Sequence, residues 1–96
     1  MFAVIFKARS RQLDNAYYAT AAQLRQSAMD HYGCVGFESV CENGREIAIS
    51  YWESLEAINH WKQDAVHRSA QQRGKAEWYR DYEVEVVEIL RRYRME

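Results

Sequence analysis

Ile47-Ala48-Ile49-Ser50-Tyr51-Trp52-Glu53-Ser54 is the stretch on which the fold of this chain turns. Its side chains alternate, Ile47, Ile49 and Tyr51 on one side and Ala48, Ser50 and Trp52 on the other, as in a strand of period two. Ser54 ends the alternation. Its hydroxyl suits a helix N-cap, and Glu53 and Glu56 suit the positive end of a helix dipole. Ala57, Ile58, Trp61 and Ala65 then recur at helical spacing and predict a buried stripe. Asp64 can cap a separate short segment, Ala65 to Arg73, with a kink near Gln63 and Gly74 as its end. Trp52, Trp61, His60 and His67 all fall in this part of the chain, so a pocket wall is expected here.

Working outward, Asn43-Gly44 lies just before the stretch and between two strand-like runs. Both central residues of a type I′ turn need positive φ, so this dipeptide predicts a hairpin joining Cys34–Glu42 to Arg45–Glu53. In the earlier run Val35, Phe37 and Ser39 alternate against Gly36, Glu38 and Val40. Further upstream, Ser10-Arg11-Gln12 is expected to open a helix reaching about His31, with Gly33 as its stop. Leu13, Tyr17, Thr20/Ala21, Leu24 and Ala28 form its apolar stripe, while Arg11, Asp14, Gln23, Arg25 and Gln26 fill the wet face. Phe2 to Ala8 reads as the first strand and Trp78 to Tyr93 as the last, with a bulge expected where the alternation slips at Val86-Val87.

The order β-α-β-β-α-β predicts an α+β, ferredoxin-like fold: a four-stranded antiparallel sheet with both helices on one face. Strands one, three and four carry apolar residues on both sides, and two helices cover one side only. A second copy packed sheet against sheet would cover the other, so a homodimer is expected.

The chain of 96 residues is short enough for one domain, residues 1–96, and 48% hydrophobic with 28% charged residues describes a folded domain. A net charge of −1, with both signs interspersed, favours neither nucleic acid nor an anionic membrane surface. No apolar run approaches a membrane span, and the Met1-Phe2-Ala3 start has no basic leader, so a cytoplasmic protein is expected. Cys34 and Cys41 sit in one strand, about 23 Å apart if extended, too far to bridge. They carry no His or carboxylate partners at metal-ligand spacing, so no metal site is expected. RNA-recognition modules share this element order, but Arg45-Glu46-Ile47-Ala48-Ile49-Ser50-Tyr51 lacks their basic and aromatic signature.

With this order of elements, the block Ser50-Tyr51-Trp52-Glu53-Ser54, Ala57-Ile58, Trp61, Asp64, His67 and Gly74 resembles the antibiotic biosynthesis monooxygenase family. The resemblance implies a dimeric α+β barrel with a pocket between helices and sheet in each subunit. It also implies oxidation of electron-rich aromatic substrates by O₂ with no metal or flavin cofactor. Phenol-oxidising relatives carry an Asn four residues before the strand-three Trp, where this chain has Ala48. Haem-degrading relatives need an Asn in the first strand and a His ten residues after the helix Trp. Residues 2–9 hold no Asn and the latter position is Gln71, which disfavours haem degradation.

Cofactor-free oxidation needs a base of near-neutral pKa, a dry aromatic enclosure and a donor for the oxyanion. His67 is the candidate base; a helix-surface or interface His is the alternative. His60 is expected to face water and His31 to meet the negative end of the first helix. The resemblance makes the Trp52 indole N–H the candidate donor, with core packing as the competing role. Trp61, Phe37, Tyr17 and Trp78 are candidate walls for a small aromatic ligand: core packing is the default for Trp61 and Phe37, Tyr17 can put its hydroxyl into the cavity, and one of Trp78 and Tyr79 meets either the pocket or the partner. Trp78 and Tyr79 are expected to point to opposite faces of the last strand. The sequence thus points to a monooxygenase, with a non-catalytic small-ligand or stress-related barrel protein as the alternative. The basic end Arg91-Arg92-Tyr93-Arg94 reads as a solvated tail or dimer contact.

Overall fold

The computed structural model describes residues 1–95, with the side chains of Ala65 and Val66 outside the description. The element order is β1 (Phe2–Ser10), α1 (Asn15–His31), β2 (Cys34–Glu42), β3 (Arg45–Trp52), α2 (Leu55–Lys62), α3 (Ala65–Arg73), a π-helical turn (Gly74–Trp78) and β4 (Tyr79–Glu88). The strands form one sheet in the order β2-β3-β1-β4, every neighbouring pair antiparallel. This is the ferredoxin-like arrangement. Asn43 and Gly44 take φ of 52° and 76° at the β2–β3 hairpin, as a type I′ turn requires.

Residues directly paired across antiparallel strands point the same way, so the register separates two faces. Phe2, Val4, Phe6 and Ala8 pair with Trp52, Ser50, Ala48 and Glu46 and look toward the helices. Ala28, Cys34, Trp52 and Ile58 are buried together on that side, with Phe37 and Trp61 against them. Ile5, Ile47, Ile49 and Tyr51 lie on the rear face with Val40 and Val87. Val40 is 69% exposed and Ile47 is 43% exposed. Lys7 bridges Glu83 and Glu85 at 3.6 and 2.7 Å along the same face, and Arg92 lies over the Tyr51 ring.

Several boundaries differ from the sequence expectation. Helix α1 begins at Asn15, because Ser10 N–H donates to the Gly44 carbonyl and Arg11 N–H to the Trp78 carbonyl, holding both residues to the sheet. Asp14 supplies the cap, its side chain accepting from Tyr17 N–H at 2.8 Å. Ser54 caps α2 as expected, accepting from Ala57 N–H, and Asp64 accepts from His67 N–H at the start of α3. Ala65, expected to prolong the α2 stripe, lies outside the described side chains.

Strand β4 ends at Glu88, where its partner β1 runs out; the bond from Ile89 N–H to the Met1 carbonyl is the last along that edge. No bulge forms at Val86-Val87, which pair regularly with Val4 and Ala3. The irregularity sits instead between Arg9 and Ser10, which face Asp81 and Tyr79. A second one, between Cys34 and Gly36, lets Cys34 and Phe37 share the helix side despite their odd spacing.

Candidate functional site

A cavity of about 390 Å³ lies between the helices and the sheet. Val4, Phe6, Ala48 and Ser50 form its floor, and Leu24 and Ile58 reach it from the helices. On the β4 side Val84 and Val86 line it while 48% and 49% exposed, so that edge is open. The volume is in the range of small-molecule sites.

One end is built by stacking. The His67 ring lies on Trp61 with centroids 4.1 Å apart and planes 15° apart, and Trp61 leans on Trp52 at 5.2 Å. The break between α2 and α3 makes this geometry: it folds the chain back so that His67 Nδ1 comes within 3.2 Å of the Trp61 carbonyl. That carbonyl can only accept, so in the neutral ring Nδ1 carries the hydrogen and Nε2 keeps its lone pair. Burial pushes the His67 pKa below its ordinary value; the Trp61 carbonyl and the Asp64 charge act weakly the other way.

The other end is built by hydrogen bonds. Tyr17 from α1 donates to Glu46 Oε1, and Tyr79 lies 3.1 Å from Glu46 Oε2 and 3.4 Å from Tyr17 Oη. Burial raises both phenol pKa values far above the usual tyrosine range, the bonds to and charge of Glu46 adding to it. Both therefore stay protonated donors. Gly74 permits the close approach: a Cβ there would sit 3.0 Å from the Tyr79 ring.

Of the residues singled out in the sequence, His67, Trp61, Phe37, Tyr17 and Trp78 all line the cavity. Trp78 packs edge-to-face on Tyr17 at 5.4 Å. Because it belongs to the π-helical turn and not to the strand, Trp78 lines the same cavity as Tyr79, and the expected opposition of the two does not arise. Trp52 takes the core place that was the competing role for it. It is fully buried behind Trp61, and its N–H donates to Ser50 Oγ at 2.8 Å. Ser50, itself buried, is the group that meets the cavity. Glu46 and Arg25 were not read as site residues. Glu46 could have been found by extending the Trp52-Ser50-Ala48 face two residues back. Arg25 lies over the Phe37 ring at 4.8 Å, and nothing in the pattern of α1 marks it. Among the described residues no three His, Cys, Asp or Glu side chains converge to hold a metal ion, and no helix is long and apolar enough to cross a membrane.

The family model described as antibiotic biosynthesis monooxygenase matches residues 1–73. The uncharacterized protein YqjZ of Bacillus subtilis is 41% identical over 91 residues, covering 94% of this chain and 80% of that protein. A jasmonate monooxygenase of Pyricularia oryzae is 29% identical over 94 residues, covering 93% of this chain but 43% of its own length. The chain thus spans less than half of that enzyme. Among solved structures, SnoaB of Streptomyces nogalater, described as a cofactor-independent oxygenase, superposes with TM-score 0.80 over 95% of this chain and 94% of its own, at 11% identity. That likeness is one of fold.

Proposed function

The chain belongs to the antibiotic biosynthesis monooxygenase family, and from that premise we propose that it is a cofactor-independent monooxygenase acting on a small aromatic or quinol-type substrate. The observation that carries this reading is His67, an imidazole kept neutral by burial and stacked on Trp61 at the wall of an apolar cavity. A relative described as a jasmonate monooxygenase supports the reaction class.

With no cofactor to supply electrons, the substrate supplies them itself. His67 Nε2 takes a proton from an acidic C–H or O–H, and the apolar walls around it leave the resulting anion electron-rich. The anion passes one electron to O₂. The radical pair joins as a C–O bond, the proton returns to the peroxide, and loss of water leaves a carbonyl. For a methylene the balance is CH₂ + O₂ → C=O + H₂O. Trp52 acts as a positioning residue: its N–H fixes Ser50 Oγ, which leaves the Ser50 hydrogen to donate to the substrate oxygen.

The test is oxygen uptake with anthrone. His67→Ala is expected to lower kcat by roughly a hundredfold or more, within the usual range for a general base. Trp52→Phe, which frees the Ser50 hydroxyl, is expected to lower it by less. Unchanged rates in both variants overturn the assignment. Retention of an aromatic ligand with no oxygen consumed by the wild type favours the non-catalytic reading, to which Ala48 in place of the Asn of phenol-oxidising relatives lends weight.

The active form in this proposal is a homodimer in the cytoplasm, where the unpaired thiols of Cys34 and Cys41 stay reduced. A second copy covers the rear face, where Val40 and Ile47 are exposed. Sedimentation equilibrium is expected to give twice the subunit mass; a monomer at micromolar concentration sinks this part.

A further inference from the structure

Two cations line the cavity while themselves exposed to solvent. Arg25 from α1 and Lys62 from α2 both line it. Among the described residues neither lies within ion-pairing distance of a carboxylate, and the ion pairs there engage Lys7, Arg9 and Arg73. Glu46 shares the cavity, but its two oxygens already accept from Tyr17 and Tyr79.

The sheet keeps Glu46 away from Arg25. The Arg25 guanidinium sits over Phe37 and donates through Nη2 to Ser39 Oγ at 3.4 Å. Ser39 pairs with Ala48, and Glu46 lies two residues further along β3, about 7 Å of strand. The Phe37 ring orients the cation without neutralising it. A guanidinium has five N–H donors in a planar fork, and among the described residues one of them is spent on protein. An exposed fork set over Phe37 at the rim of an apolar cavity, with no ion-pair partner among the described residues, suits a bidentate oxyanion.

Resting on the reading of this cavity as the ligand site, we propose that its ligand is an aromatic carboxylate. The carboxylate lies on Arg25 with Lys62 adding to the field, and the ring system lies along Val4, Phe6 and the open Val84–Val86 edge. The hydrogen-bonded end then serves as the polar stop against the far side of the ligand, and His67 faces the ring from the opposite end. Arg25 in this proposal is a specificity residue: it selects which aromatic molecules enter, and the proton transfer stays with His67.

The test uses N-phenyl-1-naphthylamine, a neutral fluorescent reporter, and 2-naphthoate as competitor, with 2-methylnaphthalene as its neutral counterpart. In Arg25→Gln the affinity for 2-naphthoate is expected to fall about tenfold or more, the loss of one charge-assisted pair. The reporter and 2-methylnaphthalene are expected to change less than twofold. Arg25→Lys should fall between, since it keeps the charge and loses the fork. Added salt should weaken 2-naphthoate in the wild type and leave 2-methylnaphthalene unmoved. Equal changes for the charged and neutral competitors, no change for either, or a wild type that binds none of the three overturns the proposal. Binding is read without turnover. Arg25-dependent 2-naphthoate binding without oxygen uptake from any substrate therefore removes the monooxygenase reading and leaves this one. Oxygen uptake from anthrone with Arg25-independent binding does the reverse.

Discussion

The two ends of the cavity are made of different physics. At the His67 end the order comes from ring on ring: Trp52, Trp61 and His67 stack in succession, and the basicity of the outermost ring is set by how much water the stack excludes. At the Glu46 end it comes from directed bonds, one carboxylate receiving two phenols from elements far apart in the chain. The burial that drives ring on ring is non-directional and offset stacking tolerates sliding, so the first end can accept ligands of varied outline. A carboxylate held by two hydroxyls has fixed geometry, so the second can act as a rigid stop. The difference also divides labour: burial supports stability at one end, and satisfaction of a half-buried carboxylate supports it at the other.

If that division holds, the largest stability effect belongs to Trp52. The ring is fully buried among Ala28, Cys34 and Ile58 and closes the stack from behind. Trp52→Ala should cost about 3–5 kcal/mol, a large part of the stability of a domain this size. Tyr17→Phe keeps the ring against Trp78 and removes only the hydroxyl. It should cost about 1 kcal/mol, the usual net worth of one hydrogen bond to a part-buried acceptor. Urea unfolding at fixed protein concentration measures both; a Trp52→Ala loss smaller than that of Tyr17→Phe would reverse the comparison.

The two ends were also unequally legible. The stacked end lies within sixteen residues, and its parts sit at spacings that a helix, a break and a second helix bring together. The Ser54 and Asp64 caps announced both helices, and both accept the expected backbone hydrogens. The hydrogen-bonded end joins Tyr17, Glu46 and Tyr79, the outer pair 62 positions apart in the chain. Local periodicity carries no information on such a meeting; it follows from the register of β1 with β3 and β4 and from the π-helical turn that aims Tyr79 inward. The start of α1 was missed for a related reason. Ser10 and Arg11 are drawn into the sheet by the Gly44 and Trp78 carbonyls, both distant in sequence. The rear face was readable because strand alternation shows apolar residues on both sides, whatever their partners.

The smallest effect expected is on the pH dependence of stability, and it separates the two ends by sign. His67 has a folded pKa below its ordinary 6.5, through burial, with Lys62 lowering and Asp64 raising it. Between the folded value and 6.5 the unfolded chain therefore binds more protons, and stability falls as pH drops through that window. Above it His67 contributes no slope. Tyr17 and Tyr79 have folded values above their ordinary 10.0, through burial and Glu46. Above pH 10 the folded chain keeps protons that the unfolded one has lost, so stability falls as pH rises. Replacing His67 by Gln should flatten the weakly acid limb and leave the alkaline limb alone. Tyr17→Phe should soften the alkaline limb, with Tyr79 still contributing, and leave the acid limb alone. Thermal midpoints across pH, with tyrosinate absorbance following the phenols, resolve the two. If His67→Gln moved the alkaline limb or Tyr17→Phe the acid one, the ends would be a single coupled network, and the cavity would have to be described as one charge system spanning the sheet.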